Sequence, residues 1–240
     1  MSGCATSSNS PRLAEVAARL GFDVVWTEME HASSDLAGAE SICLAIEAGG
    51  AIPAVRTAGT RREQVMHALE IGARIVIIPM VNDAATAREL VQYGKFPPLG
   101  QRGYNTRSRG VGYGLVSPPD FIREANVRTA LLPQIETLQA VANLDAILEV
   151  KGLGGIFIGP GDLSAALGCP GDFQNPELIR IACECIGKTR SAGLHASLLV
   201  APGPLLRAAL EAGADLCFFA NDIGAAIAVW REQLKTWKKG

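Results

Sequence analysis

The chain has 240 residues, with 22 Lys and Arg against 24 Asp and Glu and a net charge of −2. Hydrophobic residues make up 48% of the chain and charged residues 19%, which excludes an intrinsically disordered chain, since such chains are poor in apolar residues and highly charged. The near balance of charge provides no basic field that would attract nucleic acid or an anionic membrane.

Short β-branched runs alternate along the chain with longer stretches rich in Ala, Leu and Glu, which predicts eight strand–helix units. The predicted strands are residues 3–6, 24–28, 52–56, 74–79, 128–136, 155–159, 195–199 and 216–219. The predicted helices are residues 11–20, 36–48, 61–71, 83–92, 138–148, 176–192, 202–212 and 222–237.

Eight such units predict a parallel sheet closed as a (β/α)₈ TIM barrel, a fold that typically takes about 250 residues. We expect it to cover residues 1–240 as a single domain of the α/β class. A doubly wound open sheet is the alternative, but no G-x-G-x-x-G motif follows the first strand. Residues 93–125, rich in Gly, Pro and Arg, are predicted to be irregular, and irregular stretches of this length are usually functional or disordered.

No stretch of the sequence predicts a membrane or secreted protein. The longest apolar run, residues 75–81 around Pro79, is far shorter than the roughly 20 residues of a membrane span. The first residues lack the basic and apolar regions of a secretory signal. The six cysteines have no metal-binding spacing and indicate reduced thiols. We therefore expect a cytoplasmic protein without membrane or nucleic-acid partners.

Active sites of such barrels lie at the carboxyl ends of the strands. Glu28, Glu30 and His31 lie at the end of the second predicted strand, and Arg56 ends the third. A histidine near a carboxylate is the commonest general base at neutral pH, although His31 could instead bond only backbone. The fork of Arg56 suits a substrate carboxylate or enolate oxygen, although an internal ion pair with Glu28 or Glu30 is the alternative.

Glu136 and Asp162 are the predicted metal ligands. They follow adjacent predicted strands, and two carboxylates completed by water and substrate oxygens are a usual way to hold Mg²⁺ or Mn²⁺. The alternative is that they cap helices, with Asp162 as an N-cap. The neighbouring glycines Gly159 and Gly161 leave room for a ligand to approach the backbone.

No lysine ends a predicted strand. This argues against Schiff-base catalysis, which requires a lysine in the dry interior of the site. No phosphate-binding loop follows the seventh or eighth strand, where barrels often carry one. We therefore expect an unphosphorylated substrate.

Six short motifs that occur in order identify a family resemblance. They are WTEMEH at residues 26–31, PAVR at 53–56, IPMV at 78–81, PPLGQRG at 97–103, QIE at 134–136 and GPGDLS at 159–164. Together they resemble the HpcH/HpaI family of metal-dependent, class II pyruvate aldolases, and the similarity covers nearly the whole chain.

The resemblance implies a (β/α)₈ barrel assembled as a trimer of dimers, a homohexamer in which the last helix, residues 222–237, is exchanged between partners. It implies Mg²⁺, Mn²⁺ or Co²⁺ on Glu136 and Asp162, with the ketoacid's carboxylate and 2-oxo group chelating the metal. Gln134 and the backbone near Gly161 would line the pyruvate pocket beside Asp162.

The resemblance also implies catalytic roles. Arg56 would hold the oxygen that becomes the enolate, and His31 would transfer protons. The family usually has Asp where this chain has Glu28, the acid beside the histidine, and where it has Glu70, a residue supplied to the neighbouring subunit's site. An extra methylene moves a carboxylate by roughly an ångström, and a displacement of that size can be costly for catalysis.

The predicted function is therefore lyase activity: aldol cleavage of a 4-hydroxy-2-oxoacid to pyruvate and an aldehyde. One alternative is a superfamily relative with different chemistry, either a malyl- or citramalyl-thioester lyase or a macrophomate-synthase-like enzyme that decarboxylates oxaloacetate and condenses the product. The arginines between residues 102 and 109 motivate it, since they could receive a larger anionic acceptor. Another alternative is a non-catalytic barrel that binds an oxoacid.

Overall fold

In the computed structural model, which describes residues 1–238, eight parallel strands close into a barrel in sequence order. The strands are β1 (Ser2–Thr6), β2 (Val24–Glu28), β3 (Ile52–Arg56), β4 (Ile75–Ile78), β5 (Ala130–Ile135), β6 (Gly155–Ile158), β7 (His195–Leu199) and β8 (Leu216–Asn221). The (β/α)₈ barrel is thus confirmed and the open sheet was wrong. That residues 1–240 form one domain stays a prediction, and residues 239 and 240 lie outside the described part.

Helices pack around the outside of this barrel. They are α1 (Pro11–Arg19), α2 (Leu36–Ala48), α3 (Arg62–Glu70), α4 (Ala84–Gly94), α5 (Pro118–Arg128), α6 (Leu138–Ala142), α7 (Leu144–Leu148), α8 (Pro160–Ala166), α9 (Pro176–Ser191), α10 (Pro204–Glu211) and α11 (Asp222–Trp237). None of the helices within residues 1–238 combines the length and the apolar character needed to cross a membrane.

Residues 93–125 were predicted to be irregular, and the prediction was wrong for the last part of this stretch. The stretch contains a short 3₁₀ turn, Arg109–Gly114, and most of α5. Helix α5 buries only Ala125, so it lacks the apolar periodicity by which helices are recognised. Helix α8 was missed because it is short, and residues 138–148 form two helices with a break at Asn143 rather than one.

Large aromatic side chains fill the barrel interior. The ring of Trp26 packs edge-to-face against Phe157 and Phe218, with ring centroids 5.4 and 5.2 Å apart. All three side chains are fully buried. A side chain at Gly3 would place its Cβ 2.4 Å from the Phe218 ring, so only glycine leaves room for this packing. The interior is therefore a solid core, and a ligand can enter only at the ends of the barrel.

Helix α11 has an unusual surface. None of its residues is buried, and it carries a row of exposed apolar side chains spaced by four and three residues. They are Ile223, Ile227, Trp230, Leu234 and Trp237. Such spacing places all five on one face of the helix.

Candidate active site

An ion pair joins the ends of β2 and β3. The strand register sets Glu28 directly opposite Arg56, and the Arg56 Nε donates a 2.8 Å hydrogen bond to Glu28 Oε2. The Arg56 guanidinium also lies over the Trp26 ring, 4.8 Å from its centroid. The internal ion pair that the sequence left open is therefore present, and it fixes the guanidinium at the carboxyl end of the barrel.

The second oxygen of Glu28 organises the turn that follows β2. Glu28 Oε1 accepts hydrogen bonds from the main-chain N–H of Glu30 at 2.6 Å and of His31 at 3.2 Å. The buried carboxylate thus has a cation on one oxygen and two backbone donors on the other. These three partners offset the cost of burying the negative charge of Glu28.

Glu30, rather than Glu28, is the carboxylate beside the histidine ring. Its Oε2 lies 3.6 Å from His31 Nε2 and 3.3 Å from Arg56 Nε, yet this buried oxygen makes no hydrogen bond. Burial raises the pKa of Glu30, and the charges of Glu28 and Asp162 raise it further, against the opposing effects of Arg56 and His31. The His31 side chain is 66% exposed, so its ring is accessible from solvent.

Glu136 directly follows β5 and is buried. Its Oε1 accepts a 2.7 Å hydrogen bond from the Met80 main-chain N–H, and its Oε2 accepts one from Gln134 Nε2. Burial raises the pKa of Glu136, and the charges of Asp162 and Glu30 contribute in the same direction. In contrast to Glu28, this carboxylate has no cationic side chain among its hydrogen-bond partners.

Asp162 lies in the first turn of α8, whose N-cap is Gly159. The alternative that Asp162 is itself the N-cap was therefore wrong. Its side chain is exposed, and it is close enough to Glu136 and Glu30 for its charge to raise the pKa of both. The charges of Asp162 and Glu30 thus both act on Glu136 at the carboxyl end of the barrel.

These groups fit a hard divalent cation. Like charges gathered at a partly buried position need a cation to offset their repulsion, and the Oε1 of buried Gln134 has no hydrogen-bond partner. Within residues 1–238 no group of three or more His, Cys, Asp or Glu side chains is placed so that it could hold a metal ion by itself. Glu136 and Asp162 would therefore supply two ligands, and water and substrate oxygens the others, as is usual for Mg²⁺.

Two residues contact Glu136 in ways that the sequence analysis did not predict. Met80 was not singled out at all, and Gly159 was expected only to leave room for a ligand. Met80 has φ +57°, a left-handed conformation that is uncommon for a residue with a side chain, and its N–H points at Glu136. A Cβ at Gly159 would lie 2.8 Å from Glu136 Oε2 and 2.9 Å from Gln134 Nε2. Each residue belongs to one of the motifs named above, but a sequence motif does not predict the direction of the backbone.

Glu70 is not part of this group within one chain. It ends α3 and so faces the amino-terminal end of the barrel, where its Oε1 accepts a 2.6 Å hydrogen bond from Arg102 Nη2. Its Oε2 is buried without a partner. A role for Glu70 in a neighbouring subunit's site stays a prediction.

Comparison with known proteins gives one consistent result. The model of the HpcH/HpaI aldolase/citrate lyase family matches residues 2–227. A 2-keto-3-deoxy-L-rhamnonate aldolase of Klebsiella pneumoniae subsp. pneumoniae is 38% identical over 210 residues, which are 87% of this chain and 78% of that protein. The crystal structure of an HpcH/HpaI aldolase from Desulfitobacterium hafniense DCB-2 superposes with a TM-score of 0.93 at 27% identity, covering 100% of this chain and 93% of that one. An aldolase/citrate lyase family protein from Burkholderia cenocepacia J2315 gives 0.90 at 27% identity, over 99% and 94% of the two chains.

The close approach of Gly159 to Glu136 can be tested by substitution. We expect Gly159→Ala to weaken Mn²⁺ binding about 10- to 100-fold, the usual effect of disturbing groups that orient a metal ligand, because the new Cβ displaces Glu136. Gly161→Ala is the matched control, since a Cβ there meets no atom within 4 Å. Calorimetric titration with Mn²⁺ measures both variants, and equal affinities for the two would contradict this geometry.

Proposed function

The chain belongs to the HpcH/HpaI aldolase/citrate lyase family and is an aldolase, a carbon–carbon lyase, and we propose that it cleaves a hydroxylated 4-hydroxy-2-oxoacid to pyruvate and an aldehyde with the residues described above. The observation that carries the residue assignment is that buried Glu136, whose pKa the charges of Asp162 and Glu30 raise, shares the carboxyl end of the barrel with the fixed guanidinium of Arg56. Cleavage leaves pyruvate as an enolate, whose charge must be stabilised as it develops.

Members of this family are metal-dependent, and we propose that Glu136 and Asp162 hold the metal in this chain. When bound there, a divalent cation acts as a Lewis acid that draws negative charge from the substrate's 2-oxo group. The metal is Mg²⁺, Mn²⁺ or Co²⁺ in this proposal. The main-chain N–H of Met80 and the Gln134 amide support it, because both orient the Glu136 carboxylate.

Arg56 holds the oxygen on which the enolate charge develops. Its guanidinium is fixed by Glu28, by nearby Glu30 and by the face of Trp26, so it does not have to reorganise when charge appears. Glu28 is a positioning residue in this proposal, since both its oxygens are engaged by protein groups.

His31 removes the proton of the C4 hydroxyl in the cleavage direction. The exposure of its ring supports this, and nearby Glu30 orients the ring and stabilises its protonated form. Gln134 and Gly161 line the pyruvate moiety. The open space beside Gly161, where a Cβ would meet nothing within 4 Å, is consistent with such a pocket.

The hydroxylated substrate is proposed from two observations. Relatives at 37–38% identity are 2-keto-3-deoxy-L-rhamnonate aldolases, and cleavage of such a 6-deoxy sugar acid releases lactaldehyde as its aldehyde product. The loop after β1 is also polar, with Ser7 and Ser8 held by Asp222 and a buried Asn9 Oδ1 without a partner. An unpaired acceptor on this end of the barrel suits a substrate hydroxyl.

A homo-oligomer, a trimer of dimers in which α11 is exchanged between subunits, also belongs to the proposal. The support is the apolar row on α11, which no group of its own chain covers among the described residues. A cytoplasmic location is proposed as well, since all six cysteines are free.

The proposed chemistry is tested by hydrogen exchange at pyruvate. In D₂O with Mg²⁺, Mn²⁺ or Co²⁺, we expect the enzyme to exchange the methyl protons of pyruvate, because an enolising site does so and a mere oxoacid-binding barrel does not. EDTA should abolish exchange, and Glu136→Gln should reduce it at least 100-fold. Proton NMR follows the methyl signal.

Exchange that persists in EDTA would reject the metal assignment, and binding without exchange would reject catalysis. Condensation of pyruvate is then measured with lactaldehyde, which would accept the pyruvate enolate, and with an acyl thioester, whose own enolate would add to the 2-oxo carbon of pyruvate. Turnover with the aldehyde alone supports the aldolase substrate, whereas turnover with the thioester alone contradicts it.

The role of Arg56 is tested by a charge-preserving change. Arg56→Lys keeps a cation beside buried Glu28 but loses the planar guanidinium that can donate two parallel hydrogen bonds. We expect kcat to fall about 10²- to 10³-fold, as when one oxyanion donor is removed. The control is Arg61→Lys, because Arg61 is 79% exposed and pairs only with exposed Glu63. Steady-state kinetics measures both, and an unchanged kcat for Arg56→Lys would remove Arg56 from the mechanism.

The role of α11 in assembly is tested at Trp230, the centre of its apolar row. We expect Trp230→Asp to weaken subunit association by at least about 2 kcal/mol, roughly 30-fold, since buried tryptophans dominate interfaces. Glu232→Ala is the control, because that side chain is 70% exposed and lies off the row. Sedimentation velocity shows the change in assembly, and equal sedimentation of the two variants and the wild type would contradict the proposal.

A further inference from the structure

A second hollow lies near the amino-terminal end of the barrel, away from the carboxylates described above. It has a volume of about 300 Å³ and lies between the end of α3, the start of β4 and α5, beneath the segment that contains Arg109–Gly114. Its charged lining consists of four arginines and two glutamates, namely Arg74, Arg102, Arg109, Arg128, Glu47 and Glu124. We call it the arginine cavity.

Two of its guanidinium groups, one buried and one mostly buried, have an Nε without a hydrogen-bond partner. The Arg102 side chain is 1% exposed and donates from Nη2 to Glu70, but its Nε has no hydrogen-bond partner. Arg109 donates from Nη2 to Glu47, and its buried Nε is likewise without a partner. Buried N–H groups that bond nothing are costly, particularly on charged side chains.

Arg74 adds a charge that the chain leaves uncompensated. It is half-buried, and within residues 1–238 its side chain makes no ion pair or hydrogen bond of the kinds found for the other lining arginines. Together with Arg128, it also lines a larger cleft of about 790 Å³ at the mouth of the barrel. The two arginines therefore stand between the arginine cavity and an opening through which a small solute can enter.

A buried lysine adds a cation near Arg102. Lys95 is not among the residues that line the cavity, and its Nζ donates to the Asn126 carbonyl at 2.9 Å. Burial, with a smaller contribution from the charge of Arg102, lowers the pKa of Lys95 to about 8. Arg102 thus has a second cation nearby in addition to its ion-pair partner Glu70, and a like charge nearby favours a bound anion.

The segment Arg109–Gly114, which covers the arginine cavity, packs closely against the end of α3 and the residues that follow it. A Cβ at Gly110 would lie 2.1 Å from the Leu69 carbonyl oxygen, and one at Gly72 would lie 2.7 Å from Arg109 Nε. Tyr113, which lines the cavity, has φ +56°. Local backbone strain of this kind persists only where the surrounding structure enforces it, so the cavity is a defined feature of the fold.

We propose that the arginine cavity binds a small oxyanion, a phosphate or a carboxylate, separately from the aldolase reaction. Guanidinium forks match both groups in geometry and charge. The volume, at the lower end of the range for small-molecule sites, suits an ion of a few heavy atoms. The unpaired Nε groups of Arg102 and Arg109 and the free guanidinium of Arg74 supply its hydrogen bonds.

Calorimetric titration of the metal-free protein tests the proposal, with inorganic phosphate and with malonate in separate experiments. We expect one saturable site per chain for at least one of the two, and the tighter one identifies the anion. Arg74→Gln should weaken binding at least tenfold without unfolding the protein, since Arg74 pairs with no carboxylate. The matched control is Arg207→Gln, on an exposed arginine of α10, which should bind like the wild type.

Arg128→Gln provides a second variant should the first misfold, and it should also weaken binding. The proposal would be overturned by the absence of saturable binding, by wild-type affinity in both cavity variants, or by loss of binding in Glu136→Gln, which would assign the anion to the reaction site. A changed sedimentation coefficient of folded Arg74→Gln would likewise overturn it, because the arginines would then belong to a contact between copies of the chain.

Discussion

The site depends on the difference between two buried carboxylates. Glu28 is compensated by the protein itself, through Arg56 on the adjacent strand and two backbone N–H groups. Glu136 has only neutral donors, from Met80 and Gln134, and the repulsion of neighbouring carboxylates adds to the cost of burying its charge. A fold that retains such a group must recover the free energy elsewhere, and a cation bound in function is the direct way to do so.

The closed barrel separates opposite charges at its two ends. The parallel strands bring Glu28, Glu136 and the turn with Glu30 to the carboxyl end, while the starts of the strands and the helix ends bring Arg74, Arg102 and neighbouring cations to the other. Between them lies a core of interlocking aromatic rings. The chain, although nearly neutral overall, thus has a carboxylate-rich site at one end of the barrel and an arginine-lined cavity at the other.

Much of this arrangement could be predicted from the sequence, for physical reasons. The bounds of β2, β3 and β7 agree with prediction because each is a short run with clear ends, and β2 and β3 consist mostly of β-branched or small residues. The rule that barrel chemistry lies at strand ends identified Glu28, Arg56 and Glu136. The contact of Met80 with Glu136 could not be found, since it depends on a backbone dihedral. The proximity of Glu30, rather than Glu28, to the His31 ring could not be found either, since it depends on side-chain direction. Helix α5 was missed because it lacks an apolar face.

The stacking of Arg56 on Trp26 has a spectroscopic consequence. The chain has three tryptophans; Trp26 is enclosed within the barrel, whereas Trp230 and Trp237 are exposed on α11. Excitation of a dissociated subunit therefore yields a blue-shifted emission from the indole under the guanidinium and a red-shifted one from α11, and the red-shifted component shrinks when subunits associate through α11. An aqueous quencher would suppress the second and spare the first, so a single cuvette can follow changes at Arg56 and at α11 independently.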